Sequence, residues 1–148
     1  MAVEVSVIVP HFNDSERLAL CLDALGRQTM SRERFEVLVS DNGSDAEHDP
    51  AELVGRYPFA RLVVETKPGS YAARNRALRE AMGPVLGFTD CDCVPADDWV
   101  ERGVSAILGQ PEPRGLVAGH IEIMPRDPSR PKGTELYDMI TEFDQRRH

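Results

Sequence analysis

Asp90 and Asp92 stand two residues apart in the run FTDCDCVPADDW at 88–99, and a third carboxylate, Asp41, opens the turn DNGS at 41–44. In extended backbone, side chains at i and i+2 leave the same face, so Asp90 and Asp92 are placed to hold one divalent cation together. Hard cations such as Mg²⁺ and Mn²⁺ take oxygen ligands and commonly bind through one or two carboxylates completed by substrate phosphates. The spacing therefore suits a metal-bound diphosphate, with Asp92 and Asp90 as metal ligands. An isolated D-x-D is more often a loop or a helix cap, so the weight rests on where the pair sits and on the second acidic turn. Arg74 lies in the first turns of a segment that begins just after Gly69 and Ser70, within reach of a phosphate or a base. Arg76 and Arg79 look like a solvated face. His11 is well placed after an apolar run, through its ring or its backbone alone, whereas His48, His120 and His148 show no ligand spacing.

The elements that must position these groups alternate along the chain. Val5 to Pro10 is a short β-branched run that stops at a proline, and Leu18, Cys21, Leu22 and Leu25 then recur at helical spacing behind a capping box of Asn13 and Glu16. Phe35 to Ser40 predicts a second strand, and Asp49-Pro50 a second helix ending near Tyr57. Arg61 to Glu65 predicts a third strand, followed by an alanine-rich helix over Tyr71 to Met82. Val85 to Thr89 is the fourth strand, and Asp97 or Asp98 caps a helix through Trp99, Val100 and Ile107. Leu116 to Met124 reads as a fifth strand, residues 125–133 as a loop, and Thr134 starts a last helix with Leu136, Ile140 and Phe143 along one stripe.

Such alternation predicts an α/β fold, a mostly parallel doubly wound sheet with helices on both faces. Ligands of such sheets bind beyond the carboxyl ends of the strands, where strand order reverses. With the order 3-2-1-4, the ends carrying Pro10-His11-Phe12-Asn13, Asp41-Asn42-Gly43-Ser44 and Asp90-Cys91-Asp92 become neighbours, and the three carboxylates converge. Trp99 and the Leu18 stripe are expected in the core, as are Cys91 and Cys93, since free cysteines usually behave as small apolar residues.

At 148 residues the chain has the length of one ordinary domain, and its 41% hydrophobic and 28% charged residues are those of a globular protein. A net charge of −8, from 25 acidic against 17 basic residues, disfavours nucleic acid as a partner. No stretch near the N-terminus has the length of a membrane span or the build of a signal peptide, and the three cysteines form no zinc spacing. These features predict a cytoplasmic protein, with peripheral attachment at the inner face of a membrane left open. No dinucleotide fingerprint follows the first strand and no phosphate loop is present, so charge neutralisation falls to a metal and to side chains.

The stretches VSVIVPHFN at 5–13, VLVSDNGSD at 37–45, GSYAARNRA at 69–77 and FTDCDCVPADDW at 88–99 resemble, in order, the family 2 glycosyltransferases. The likeness covers residues 3 to about 110 and continues more weakly to the end. It implies a GT-A fold and transfer of a sugar from a nucleotide-diphosphate donor, with inversion at the anomeric carbon and Mn²⁺ or Mg²⁺ as cofactor. Carried over by position, Pro10 and His11 line the nucleoside pocket, Asp41 contacts the base, and Arg74 lies near base or diphosphate. Asp90 sits by ribose and metal, Asp92 holds the metal, and Asn13 and Cys91 are counted with the nucleotide-sugar-binding residues. An ionised Asp41 can only accept hydrogen bonds, which favours bases presenting a ring N–H and hence a UDP-, dTDP- or GDP-sugar. The resemblance divides the chain into 1–110, a donor-binding core, and 111–148, the start of an acceptor-side half; it gives no residue here as the general base, and the acceptor is unknown. A last helix exposing its apolar stripe suggests a homodimer. Two other readings stay open: VLGFTDCDCV also fits a phosphoaspartyl phosphatase with Asp90 as nucleophile and Asp92 as acid or base, and a module that binds nucleotide sugar without turning it over would carry the same marks.

Overall fold

The computed structural model describes residues 2–110 and 115–141, in two compact units, Met1–Gly115 and Leu116–His148. The first unit is built on four parallel strands, β1 Val5–His11, β2 Phe35–Asp41, β3 Ala60–Val64 and β4 Val85–Phe88, in the order β3-β2-β1-β4. The two central strands read VSVIVPH and FEVLVSD and are buried along almost their whole length. Near-continuous apolar runs of this kind are what a sheet covered on both faces requires.

Alternate residues go to opposite faces. Val5, Val7, Val9, Phe35, Val37 and Val39 meet Leu18, Cys21, Leu22 and Leu25 of α1 (Ser15–Gly26) and Val100 and Val104 of α4 (Trp99–Leu108) in the larger core. Ile8, Leu38 and Val63 pack on the other face with Ala77 of α3 (Ser70–Leu78). A single 3-10 turn, Ala46–His48, and the four-residue α2, Ala51–Val54, complete the crossover from β2 to β3. The expected second helix thus ends earlier than Tyr57, because Gly55 and Pro58 break it.

The chain winds outward from β1 through β2 to β3, then returns to set β4 on the other side of β1. The order reverses between β1 and β4, and a crevice opens there beyond the strand ends. Parallel register pairs His11 with Asp41 and Ile8 with Phe88, so the ends of β1, β2 and β4 lie side by side.

Several local expectations are corrected. The α1 N-cap is Asp14, whose Oδ1 accepts from the Arg17 N–H at 3.4 Å; Asn13 instead adopts φ 50 one residue before it, so no Asn13–Glu16 capping box forms. Asn tolerates that left-handed conformation better than most residues. α3 stops at Leu78 rather than Met82, and Asp98 is the N-cap of α4 without a side-chain cap bond. Trp99 is only partly buried, packed against the rim of the larger core. Cys91 is likewise partly buried and Cys93 is exposed, because Asp90 to Cys93 form a turn closed by the Cys93 N–H on the Asp90 carbonyl at 3.1 Å.

In the second unit Leu116 to Met124 forms no strand: extended backbone becomes sheet only by pairing, and among the described residues it has no strand partner. α5 runs Gly133–Thr141, and Glu135 in its first turn accepts from the Lys132 N–H at 2.6 Å and the Arg126 N–H at 3.1 Å. Phe143, the last member of the expected apolar stripe, lies outside the described residues. No helix among the described residues is long and apolar enough to cross a membrane.

Candidate functional site

Beyond the carboxyl ends of β1, β2 and β4 lies a cleft of about 840 Å³. Its walls come from the end of β1 and the residue after it (Pro10, His11, Phe12), the start of α1 (Asp14, Arg17), the turn after β2 (Asn42, Gly43), the loop into α3 with its first turns (Gly69, Arg74 among them), and Asp90, Cys91 and Asp92. It sits where the reversal of strand order predicts.

The turns after β1 and β2 are tied together by buried polar contacts. His11 is 1% exposed, and its Nδ1 lies 2.9 Å from Asp41 Oδ1 while its Nε2 accepts the Asp14 N–H at 3.3 Å. That pairing assigns the ring proton to Nδ1, donated to the carboxylate. The Ser44 hydroxyl donates to the same Asp41 oxygen at 2.6 Å, and the backbone N–H groups of Gly43 and Ser44 donate to Asp41 Oδ2 at 3.2 Å each. Burial pushes the Asp41 carboxyl up, but the bonds from Ser44 and His11 outweigh it and hold the group below the usual carboxylate range. Asp41 is 7% exposed and does not itself line the cleft. The direct contact with a base that the sequence suggests is not what this geometry favours: each carboxylate oxygen already receives two donors from the chain. Asn13 likewise clamps the β2 turn, accepting the Asp45 N–H at 2.8 Å and donating to Asp45 Oδ2 at 3.1 Å, while its own N–H donates to Ser44 Oγ at 2.9 Å. It braces the wall rather than facing the cleft.

Asn42 is a site residue that sequence reasoning passed over. Its amide nitrogen donates to the carbonyls of Glu65 at 3.0 Å and Lys67 at 2.8 Å, and its oxygen accepts the Gly69 N–H at 2.7 Å. One side chain thus pins the β3–α3 loop to the β2 turn. Gly69 sits at φ 117, a conformation side-chain-bearing residues rarely adopt, and begins α3 at the cleft edge. The available signal was the Asn-Gly pair inside DNGS, which marks a turn but not the distant carbonyls that it ties.

Across the cleft, Asp90 Oδ1 is bonded by Arg74, and Asp92 Oδ2 lies 3.6 Å from an Nη of Arg17, whose Nε is held by Asp14 Oδ2 at 2.8 Å. Both carboxylates face the cleft although their backbone is a turn rather than the extended segment expected. Arg17 carried no sequence signal, because Asp92 lies 75 residues further on and only the fold brings it near. Burial pushes the Cys21 thiol up to about 12 and the Cys91 thiol up to about 11, so neither is a ready nucleophile. Among the described residues no three His, Cys, Asp or Glu side chains cluster closely enough to cage a metal. Asp90 and Asp92 are two carboxylates of the cleft whose oxygens could serve a hard cation.

A parallel sheet in the order β3-β2-β1-β4, with an acidic turn at its switch point paired to arginines, is an α/β architecture of GT-A type. The sequence model described as Glycosyl transferase family 2 matches residues 6–143. The chain belongs to the family 2 glycosyltransferases. It is 37% identical over 147 residues to the glycosyltransferase AglE of Haloferax volcanii, covering 96% of this chain and 46% of that protein. The mannosyltransferase PcManGT from Pyrobaculum calidifontis, solved with GDP-Man and Mn²⁺, aligns with a TM-score of 0.64 at 32% identity over 75% of this chain and 34% of its own. S. aureus TarS 1-349, solved with UDP-GlcNAc, aligns with a TM-score of 0.60 at 27% identity over 72% and 31%. The chain thus spans about half the length of AglE or less of these relatives.

Proposed function

We propose that this cleft binds the diphosphate of a UDP-, dTDP- or GDP-sugar and supplies the donor side of a glycosyltransferase that inverts the anomeric carbon. The observation that carries the reading is the facing of Asp90 and Asp92 with Arg74 and Arg17 in one cleft at the switch point. Two carboxylates beside two guanidinium groups make a site for a metal and an anion together, which neither pair alone provides.

In this reading the nucleoside lies against Pro10, His11 and Phe12. Asp41 and Asn13 act from behind, holding the ends of β1 and β2 in one shape. Asp92 and Asp90 would hold Mn²⁺ or Mg²⁺, which when bound neutralises the diphosphate and eases its departure. Arg74, at the start of α3, shares its charge with the phosphates and keeps Asp90 in place. Direct reading of a base by Asp41 would require the two 3.2 Å bonds from Gly43 and Ser44 to give way. No described residue is assigned as the base that takes the acceptor's proton.

The test is to incubate the protein with UDP-, dTDP- and GDP-sugars plus Mn²⁺ and separate the products. Release of nucleoside diphosphate supports the proposal. Inorganic phosphate that disappears in Asp90→Asn would support the phosphoaspartyl alternative, and metal-dependent binding with no release would support a binding module.

A further inference from the structure

We propose that Arg17 couples metal binding to diphosphate binding: it pairs with Asp92 and turns onto a phosphate oxygen when a cation takes that carboxylate. The inference rests on the donor-and-metal reading above, and it assigns a positioning role to a residue outside the four motifs.

Arg17 lies in the first turn of α1. Its guanidinium is fixed along one edge, with Nε 2.8 Å from Asp14 Oδ2, and one Nη reaches to 3.6 Å from Asp92 Oδ2. Both Arg17 and Asp92 line the cleft and both side chains are more than half exposed, so the contact is loose enough to be exchanged. A guanidinium and a divalent cation on the same carboxylate repel each other, and a bare cation must therefore displace the one Arg17 Nη near Asp92 without offering it a new partner. A cation arriving with a diphosphate brings that partner. The planar guanidinium pairs with phosphate as readily as with carboxylate, and the anchor on Asp14 keeps it at the cleft wall during the exchange. Asp14 is itself fixed as the α1 N-cap. Each ligand thus strengthens the other, and by linkage the strengthening is reciprocal.

The experiment measures free Mn²⁺ by electron paramagnetic resonance as it binds the full chain, alone and with saturating UDP or GDP. Arg17→Gln should bind Mn²⁺ alone about two- to fivefold more tightly than the wild type, an effect that shrinks in high salt. The same variant should show a smaller enhancement of Mn²⁺ affinity by the nucleotide. Arg17→Lys keeps the charge without the fork and should fall between the two; it also serves as the test should Arg17→Gln not fold. Unchanged Mn²⁺ affinity and unchanged enhancement in the Arg17 variants would overturn the coupling while leaving the donor site standing. Asp92→Asn separates the two claims: Mn²⁺ binding that survives it would overturn the metal reading, and this inference with it.

Discussion

Asp41→Asn is the sharpest perturbation of the wall that supports the cleft. In the native protein Asp41 Oδ1 receives His11 Nδ1 and the Ser44 hydroxyl, and Oδ2 receives two backbone N–H groups. An asparagine offers one oxygen, so one of these donor pairs must face an NH₂ group. With the oxygen toward Gly43 and Ser44, the buried His11 ring loses its acceptor; moving its proton to Nε2 only transfers the loss to the Asp14 N–H. With the oxygen toward His11, two turn N–H groups are left facing donors. Leaving a buried donor unpaired costs about 1 to 3 kcal/mol, or on the order of 4 to 12 °C in melting temperature for a chain of this size. The assay is calorimetric unfolding at pH 7, alongside competition binding of UDP, dTDP, GDP, CDP and ADP. A stable Asp41→Asn with a reordered preference among the five would refute the supporting role and restore Asp41 as a reader of the base. The expected result is a lower melting temperature, weaker binding of all five, and an unchanged ranking.

Asn42→Asp should cost more than Asn42→Ala, because a carboxylate would face the carbonyls of Glu65 and Lys67 that the amide now satisfies; we expect a loss of about 1 to 3 kcal/mol on thermal unfolding and weaker nucleotide binding. Gly83→Ala should destabilise by about 1 to 3 kcal/mol with little change in the nucleotide ranking, since the added Cβ would come within 2.6 Å of the Val5 backbone carbon. Acid stability follows from two depressed carboxyls, Asp41 and Glu36, in each of which burial is outweighed by hydrogen bonds, from Ser44 and His11 in the first and from Arg61 in the second. Their contribution is fully present above the ordinary carboxylate values near pH 4 and is lost as pH falls through the lowered ones. Unfolding followed by circular dichroism should therefore hold level from pH 7 to about 5 and fall steeply below about 4, less steeply in Asp41→Asn; a main loss between pH 7 and 5 would point to other groups.

The sheet was legible because its central strands are buried on both faces and read as apolar runs; the alternation of strands and helices implied a doubly wound sheet, whose commonest order, 3-2-1-4, is the one found. Arg74 and the two carboxylates of the D-x-D could be singled out because the first follows the Gly69-Ser70 entry to a helix and the others follow an apolar strand run. Asn13 was misread as a cap because Asp14 follows it and either residue can accept the helix N–H groups; only the backbone angle of Asn13 decides between them. The inward turn of Asp41 depends on His11, its partner in the β1–β2 register, and a pairing 30 residues apart leaves no local mark. Leu116 to Met124 has the composition of a strand, but composition cannot supply the neighbour that makes one.

The central claim is that Asp90 and Asp92 hold a cation that in turn holds the diphosphate. Isothermal titration of UDP and GDP into the wild type, in Mn²⁺ and again in EDTA, tests it most directly when repeated on Asp92→Ala. Carboxylates repel a bare diphosphate, so affinity should drop at least tenfold in EDTA, and Asp92→Ala should bind weakly and equally in both buffers. Equal affinity of the wild type with and without the metal would contradict the claim.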